Sequence, residues 1–146
     1  MKMLKAMVID DSRIMRTMVM NALKRSGLAE FEFIEAEDGQ DALEKFDPKE
    51  IDIIFADWNM PRLSGIDFVR KIRANKKNNG IPILMVTSEQ TVGKMSEALG
   101  RAGATAYITK PFTDADLHRR LAKIVDELPD HAAKPQGGFF SRLVGS

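Results

Sequence analysis

Cysteine is absent from this chain of 146 residues. A disulfide scaffold, a thiolate metal site and a cysteine nucleophile are therefore excluded. No apolar run approaches the roughly 18 residues of a membrane-spanning helix, and Asp10 and Asp11 end the N-terminal apolar run far short of a signal-peptide core. We therefore expect a cytoplasmic protein that does not insert into a membrane.

An excess of charge of either sign is missing as well. The chain has 22 basic and 21 acidic residues, which give a formal net charge of +1. No basic cluster indicates a nucleic-acid partner, and no acidic run indicates a disordered tail. Charge therefore does not identify the binding partners, except that nucleic acid is not expected among them.

Five apolar runs alternate with amphipathic segments along the chain. The runs are predicted strands and cover residues 3–9, 31–36, 51–56, 81–87 and 104–109. Three of them are continuous enough for burial on both faces, which is typical of parallel strands. Capping pairs mark three helix starts between the strands: Asp38 with Asp41, Ser64 with Asp67, and Thr113 with Asp116. This alternation predicts right-handed crossovers and an α/β fold with a parallel sheet.

The composition changes after residue 127. We assign residues 1–127 to one compact domain and residues 128–146 to a flexible linker with a short apolar tail, because proline, alanine and glycine are frequent before the tail. His131 is interpreted as a position in this linker. The apolar face of the tail consists of Phe139, Phe140, Leu143 and Val144. A helix this short is marginal in water, so we expect the tail to dock into a groove on a partner or on the domain itself.

Four of the predicted strands end at side chains with complementary chemistry. Asp10 and Asp11 follow the first strand, and Asp57 follows the third. Thr87 closes the fourth strand, and Lys110 follows the fifth. The carboxyl ends of parallel strands meet at one edge of the sheet, where ligands bind in open α/β folds. We therefore expect these five side chains to form one site.

The chemistry of this predicted site suits phosphoryl transfer. A carboxylate such as Asp57 is ionised at neutral pH and can attack phosphorus without a general base, which gives an acyl phosphate. Two carboxylates about 4 Å apart repel each other by about 4 kcal/mol at an effective dielectric constant of about 20, so three of them together need a cation. Mg²⁺ suits such oxygen ligands. The Lys110 ammonium and the Thr87 hydroxyl could bind further phosphoryl oxygens.

Four strings carry a resemblance to a known family: IDDSR, ADWNMPRLSG, VTSE and YITKPF. They resemble the receiver domain of bacterial two-component response regulators, most closely its stand-alone, CheY-like type. The resemblance implies a flavodoxin-like, doubly wound sheet of five parallel strands in the order 2-1-3-4-5, with five helices. It also implies a cis peptide bond between Lys110 and Pro111.

The same resemblance implies roles for the residues of the site. Asp57 would be the phosphoacceptor, and Lys110 and Thr87 would contact the phosphoryl group. The cofactor Mg²⁺ would be held by Asp10, Asp11, Asp57 and the main-chain carbonyl of Asn59.

Signal transmission is the third implication of the resemblance. When Thr87 moves toward the phosphoryl group, the ring of Tyr107 would turn inward and change the face formed by the fourth helix, the fifth strand and the fifth helix. A downstream protein target would bind that face. Asn59 and Glu89 occupy positions that influence the dephosphorylation rate in this family, and they match its rapidly dephosphorylating type.

We therefore predict a single-domain response regulator that takes a phosphoryl group from a histidine kinase and then changes its affinity for a partner. It would be a switch with self-catalysed phosphorylation and dephosphorylation, not an enzyme. One alternative is a phosphorelay intermediate that passes the group to a histidine phosphotransfer protein. A remote alternative is a Mg²⁺-dependent aspartyl phosphatase of the haloacid dehalogenase type, whose two aspartates are separated by one residue, whereas Asp10 and Asp11 are adjacent.

Overall fold

Five strands and five helices alternate along the chain in the computed structural model, which describes residues 1–88 and 92–134. In chain order they are β1 (Met3–Ile9), α1 (Arg13–Ser26), β2 (Glu30–Ala36), α2 (Gly39–Lys45), β3 (Ile53–Ala56), α3 (Gly65–Arg73), β4 (Ile83–Thr87), α4 (Val92–Ser96), β5 (Ala106–Thr109) and α5 (Asp114–Glu127). Within these described residues, no helix is long and apolar enough to cross a membrane.

All strand pairs are parallel, and the sheet has the order β2-β1-β3-β4-β5. Each face of the sheet carries its own apolar core. One core contains side chains of α1 and α5, and the other contains side chains of α2 and α3. The predicted flavodoxin-like α/β fold is therefore confirmed. Because β1 lies between β2 and β3, the strand order reverses beside it, and the carboxyl end of β1 is expected to border a ligand site.

Three strands begin two residues later than their apolar runs. Ile51, Ile81 and Ala104 are buried in the core, but they precede the first residues of β3, β4 and β5. Burial explains their apolar character, whereas strand membership depends on ladder pairing. Pro82 contributes to the delay in β4, because it has no N–H to donate to a neighbouring strand.

The three predicted capping pairs are all present. Thr113 accepts a hydrogen bond from the Asp116 N–H at 3.0 Å, and the Asp116 carboxylate accepts one from the Thr113 N–H at 3.0 Å, which forms a complete capping box. The Asp38 and Ser64 side chains cap α2 and α3 by accepting from the N–H groups of Asp41 and Asp67. These caps fix where the helices leave the carboxyl edge of the sheet, since each satisfies backbone N–H groups in the first helical turn.

The fourth helix departs from regular geometry. It has five α-helical residues, and a π-helical turn, Glu97–Arg101, follows directly. The Glu97 carboxylate pairs with Arg70 on α3, which connects this turn to the neighbouring helix. Short π-helical turns of this kind are frequent at functional sites.

The described part of the predicted linker, residues 128–134, is attached to the amino-terminal edge of the sheet. The Lys2 ammonium donates to the Leu128 carbonyl at 2.6 Å. The His131 Nδ1 lies 2.7 Å from Oδ2 of the buried Asp52. His131, interpreted from composition as a position in the linker, thus has a partner within the domain. Composition predicts a loop, but it does not reveal a partner 79 residues away along the chain. The predicted apolar tail lies outside the described residues.

Candidate functional site

Two aspartates are fixed at the centre of the carboxyl edge of the sheet. Asp57 directly follows β3, and its N–H donates to the Ile9 carbonyl at 2.9 Å. Asp10 directly follows β1, and its N–H donates to the Ala36 carbonyl at 3.1 Å. Because the ladder hydrogen bonds continue for one residue beyond each strand, both carboxylates start from a rigid backbone. Both residues are buried.

Lys110 reaches this pair from the end of β5. Its ammonium nitrogen lies 3.2 Å from Asp57 Oδ1 and 3.4 Å from Asp10 Oδ2. The backbone N–H of Lys110 donates to the Thr87 carbonyl at 2.8 Å, and this hydrogen bond joins the end of β5 to the end of β4. The peptide bond to Pro111 is cis, as the resemblance implies. One cation thus lies between two buried carboxylates.

A third carboxylate completes an acidic cluster. Asp10, Asp11 and Asp57 each offer an oxygen atom, and these oxygens lie within 4.8 Å of one another. Asp11 is exposed, so the cluster is open to solvent on one side. Oxygen atoms of carboxylates are the ligands that Mg²⁺ prefers, and the ion usually keeps several water molecules, which an open side permits. The donor set therefore fits this cation.

The surroundings make the negative charges of this cluster costly. Burial raises the pKa of Asp57, the neighbouring Asp10 carboxylate raises it further, and Lys110 offsets part of the effect. Burial also raises the pKa of Asp10, against the Ser12 N–H that donates to it at 2.9 Å and the charge of Lys110. One ammonium is shared by two carboxylates that repel each other. The cluster therefore favours the binding of an additional cation.

The two predicted switch residues lie on adjacent strands. Thr87 closes β4 and is only 1% exposed, and its register partner on β5 is Thr109. Tyr107 is half-buried on β5. The guanidinium carbon of Arg120 on α5 lies 5.2 Å from the centroid of the Tyr107 ring, within the range of a cation–π interaction. A ring in this position borders both the core and the surface between β5 and α5.

The remaining predicted residues are placed as follows. Asn59 is exposed in the loop of residues 57–64, which joins β3 to α3. Glu89 and the tail residues lie outside the described residues: Phe139, Phe140, Leu143 and Val144. Gly65, which has no predicted role, lies against the backbone of Asp57, and a Cβ atom there would be 1.9 Å from the Asp57 carbonyl oxygen. Only glycine fits so close to the backbone of Asp57. The sequence signal for this role is the position of Gly65 in the ADWNMPRLSG string, eight residues after Asp57.

Arg16 is a second residue that sequence reasoning missed. It lies on α1, and its Nη1 donates to the Asp10 carbonyl at 2.6 Å, while its Nε donates to Glu35 at 2.9 Å. These bonds hold the backbone that carries the acidic pair. A single arginine on a helix gives no sequence signal for such a contact.

Comparison with known proteins identifies the family of this site and fold. The profile of the family described as "Response regulator receiver domain" matches residues 6–122. The chain belongs to this family, whose domain is a phosphoacceptor switch rather than a conventional enzyme.

Within this family the chain is CheY-like. It is 39% identical over 123 residues to the chemotaxis protein CheY1 of Helicobacter pylori, with 84% of this chain and 97% of the relative covered. The crystallised chemotaxis protein CheY4 of Vibrio cholerae matches with a TM-score of 0.72 and 35% identity, covering 84% of this chain and 98% of that one. The receiver domain of the sensor histidine kinase PA1611 of Pseudomonas aeruginosa matches with a TM-score of 0.71 and 25% identity, covering 85% and 98%. That structure has a magnesium ion coordinated in its active site cleft.

The raised pKa of Asp57 predicts a specific dependence of stability on pH. Without Mg²⁺, the folded state binds a proton on Asp57 more readily than the unfolded state does, so the contribution of Asp57 to the free energy of unfolding falls as pH rises from about 4 through the folded pKa. Asp57→Asn removes this effect. We expect the variant to be more stable than the wild type at about pH 7, and the difference to vanish below about pH 4.

Urea unfolding in the presence of a chelator, repeated over this pH range, measures the difference. Asp126→Asn, at an exposed position of α5, is the matched control and should change the free energy of unfolding by less than about 0.5 kcal/mol. A variant Asp57→Asn that is less stable than the wild type at about pH 7 would contradict this account.

Proposed function

We propose that Asp57 accepts a phosphoryl group from a phosphohistidine of a histidine kinase and that the chain then changes its affinity for a partner protein. The observation that carries this proposal is the position of the Asp57 carboxylate, buried beside Asp10 and 3.2 Å from the Lys110 ammonium. A carboxylate oxygen attacks phosphorus, and the bond between phosphorus and the histidine nitrogen breaks. Its electron pair stays on the leaving imidazole, and an acyl phosphate forms on Asp57.

The cofactor that we assign to this reaction is Mg²⁺. Asp10, Asp11, Asp57 and the main-chain carbonyl of Asn59 would hold it, and the magnesium ion in the Pseudomonas receiver domain supports the assignment by analogy. When bound, the ion supplies positive charge to the carboxylates and to the phosphoryl oxygens. Lys110 donates to another phosphoryl oxygen, and Thr87 donates to a third.

The lifetime of the acyl phosphate decides between the two signalling roles. We assign Asn59 and Glu89 to the control of its hydrolysis, by their position two residues after Asp57 and Thr87. Rapid hydrolysis suits a terminal switch, whereas a phosphorelay intermediate needs a longer-lived acyl phosphate. We therefore favour the terminal switch, acting in the cytoplasm.

The switch itself would couple Thr87 to Tyr107. A hydroxyl drawn toward the phosphoryl group leaves space beside β5, into which the Tyr107 ring turns. A complete shift from 1:99 to 99:1 between two states requires about 5.5 kcal/mol of bias. One or two charge-assisted hydrogen bonds supply only part of this, so phosphorylation should shift the population incompletely.

Three surfaces would serve the partners. The kinase would dock beside the acidic cluster, where Ile14 and Met18 on α1 are 74% and 50% exposed and offer an apolar contact. The downstream target would bind the face of α4, β5 and α5. The apolar tail would dock into a groove on a partner or on that same face, with these residues inserted: Phe139, Phe140, Leu143 and Val144.

Labelling with a small phosphodonor tests the assignment of Asp57. Acetyl phosphate with Mg²⁺ should add one phosphoryl group to the wild type, as measured by intact-protein mass spectrometry. Asp57→Asn should take up none, because an amide is not a nucleophile for phosphorus. Asp126→Asn should label like the wild type.

Undiminished labelling of Asp57→Asn would contradict the assignment of the phosphoacceptor. Rapid transfer of the label to a histidine phosphotransfer protein, with slow hydrolysis in its absence, would favour the relay role over the terminal switch.

The coupling residue has its own test. Thr87→Ala removes the hydroxyl, so the variant should still be labelled but should show little change in the amide resonances of β5 and α5 by NMR. Thr87→Ser keeps the hydroxyl and should retain most of the change. Equal responses in the wild type and Thr87→Ala would exclude this route of transmission.

A further inference from the structure

The loop of residues 57–64, the metal loop, contains one residue with an unusual backbone. Arg62 has a φ of 64° and is the one residue other than glycine with a positive φ in the described parts of the chain. L-residues adopt this left-handed region rarely, and an arginine has no side-chain bond to its own backbone that would favour it. Such a conformation persists only where the surroundings hold it. Arg62 lies three residues after Asn59, whose carbonyl is the fourth oxygen assigned to the cation.

A buried carboxylate contacts the Arg62 side chain. Asp38 Oδ2 accepts from Arg62 Nε at 2.8 Å and lies 2.6 Å from Nη2. The Asp38 side chain is only 5% exposed, and its Oδ1 accepts from the Asp41 N–H at 2.8 Å at the start of α2. The Asp41 N–H and the Arg62 guanidinium both lower the pKa of Asp38. The carboxylate is therefore ionised, and each of its oxygens has its own partner, the Asp41 N–H for Oδ1 and the Arg62 guanidinium for Oδ2.

Backbone contacts fasten the same loop at two further points. The Gly39 N–H donates to the Leu63 carbonyl at 3.2 Å, and a Cβ atom on Gly39 would lie 2.5 Å from that oxygen. At the other end, the Gly65 N–H donates to the Trp58 carbonyl at 3.0 Å. The loop is thus held by α2 on one side and by the start of α3 on the other. The stretch between Trp58 and Arg62, which includes Asn59, has its ends fixed by these contacts.

We propose that Asp38 and Arg62 are positioning residues for the divalent cation, because their ion pair holds the metal loop in the conformation that presents the Asn59 carbonyl. The inference rests on the proposed function, since it concerns the same Mg²⁺ site. Neither residue touches the cation in this account. Without the ion pair, residue 62 would return to a negative φ, and the backbone between it and Trp58 would move. Loss of a contact that supports a metal ligand from behind typically lowers metal affinity by about tenfold or more.

Titration with Mg²⁺, followed by the fluorescence of Trp58, tests the proposal. Asp38→Asn removes the charge but keeps a side-chain oxygen that caps a helix well, so α2 should still begin normally. We expect Asp38→Asn and Arg62→Ala each to raise the dissociation constant for Mg²⁺ about tenfold. The dissociation constant for Mg²⁺ should rise less in Arg62→Gly than in Arg62→Ala, because glycine adopts a positive φ without strain.

The matched control is Arg70→Ala. Arg70 pairs with Asp67 and Glu97, and neither of these residues belongs to the metal loop. This variant should bind Mg²⁺ like the wild type. An equal loss of affinity in Arg70→Ala would overturn the proposal, because it would show that any lost ion pair disturbs the site. Far-ultraviolet circular dichroism establishes which variants are folded, and Asp38→Asn decides the question if Arg62→Ala does not fold.

The outcomes separate this inference from the proposed function. If Asp38→Asn and the folded Arg62 variants bind Mg²⁺ as tightly as the wild type while Asp11→Ala does not bind it, the positioning role is wrong and the metal site stands. If the wild type itself neither binds Mg²⁺ nor becomes labelled on Asp57, the proposed function is wrong and the inference fails with it.

Discussion

The site depends on one interaction, the contact of the Lys110 ammonium with two buried carboxylates. Asp10 and Asp57 follow neighbouring central strands, so the register of β1 and β3 brings like charges together in a region of low polarity. One ammonium at 3.2 Å and 3.4 Å compensates them only in part, and the pKa of each aspartate remains raised. Because the negative charge is compensated only in part, binding of a divalent cation lowers the free energy of the cluster. Lys110 can then pair with an anionic ligand.

The same lysine connects the charge of the site to the strand that carries Tyr107. Its N–H is bonded to the Thr87 carbonyl, so the ends of β4 and β5 form one unit. Tyr107 lies three residues before Lys110 on that unit, with its ring between the core and Arg120. This connection gives the proposed switch a short path from the charged cluster to the Tyr107 ring.

Much of the fold and of the site follows from short-range patterns. The apolar runs predict the strands, and the capping pairs predict the helix starts. Reactive side chains stand at the ends of four strands, and the parallel topology brings these ends together. Long-range contacts were not predictable. The sequence pattern correctly indicates that Asp38 caps a helix, but it does not show that the second carboxylate oxygen binds Arg62, 24 residues away along the chain. Composition likewise indicates that His131 belongs to a linker, but it does not show the contact with Asp52. The Asp38 carboxylate has two roles, and only the local one leaves a sequence pattern, whereas the Asp52 carboxylate binds the Lys5 N–H and His131, which are both distant along the chain. The starts of β3, β4 and β5 were predicted two residues too early for a different reason. Burial and ladder pairing both select apolar residues, so an apolar run does not show where pairing begins.

Binding of beryllofluoride, a mimic of the phosphoryl group, tests the central claim most directly. ¹⁹F NMR and Trp58 fluorescence should show binding to the wild type only when Mg²⁺ is present. Lys110→Ala should weaken this binding by at least about tenfold, the loss expected for one hydrogen bond to a charged group. Lys123→Ala, at an exposed position of α5, should bind like the wild type. Binding that needs no Mg²⁺, or that is unaffected in Lys110→Ala, would contradict the account of this site.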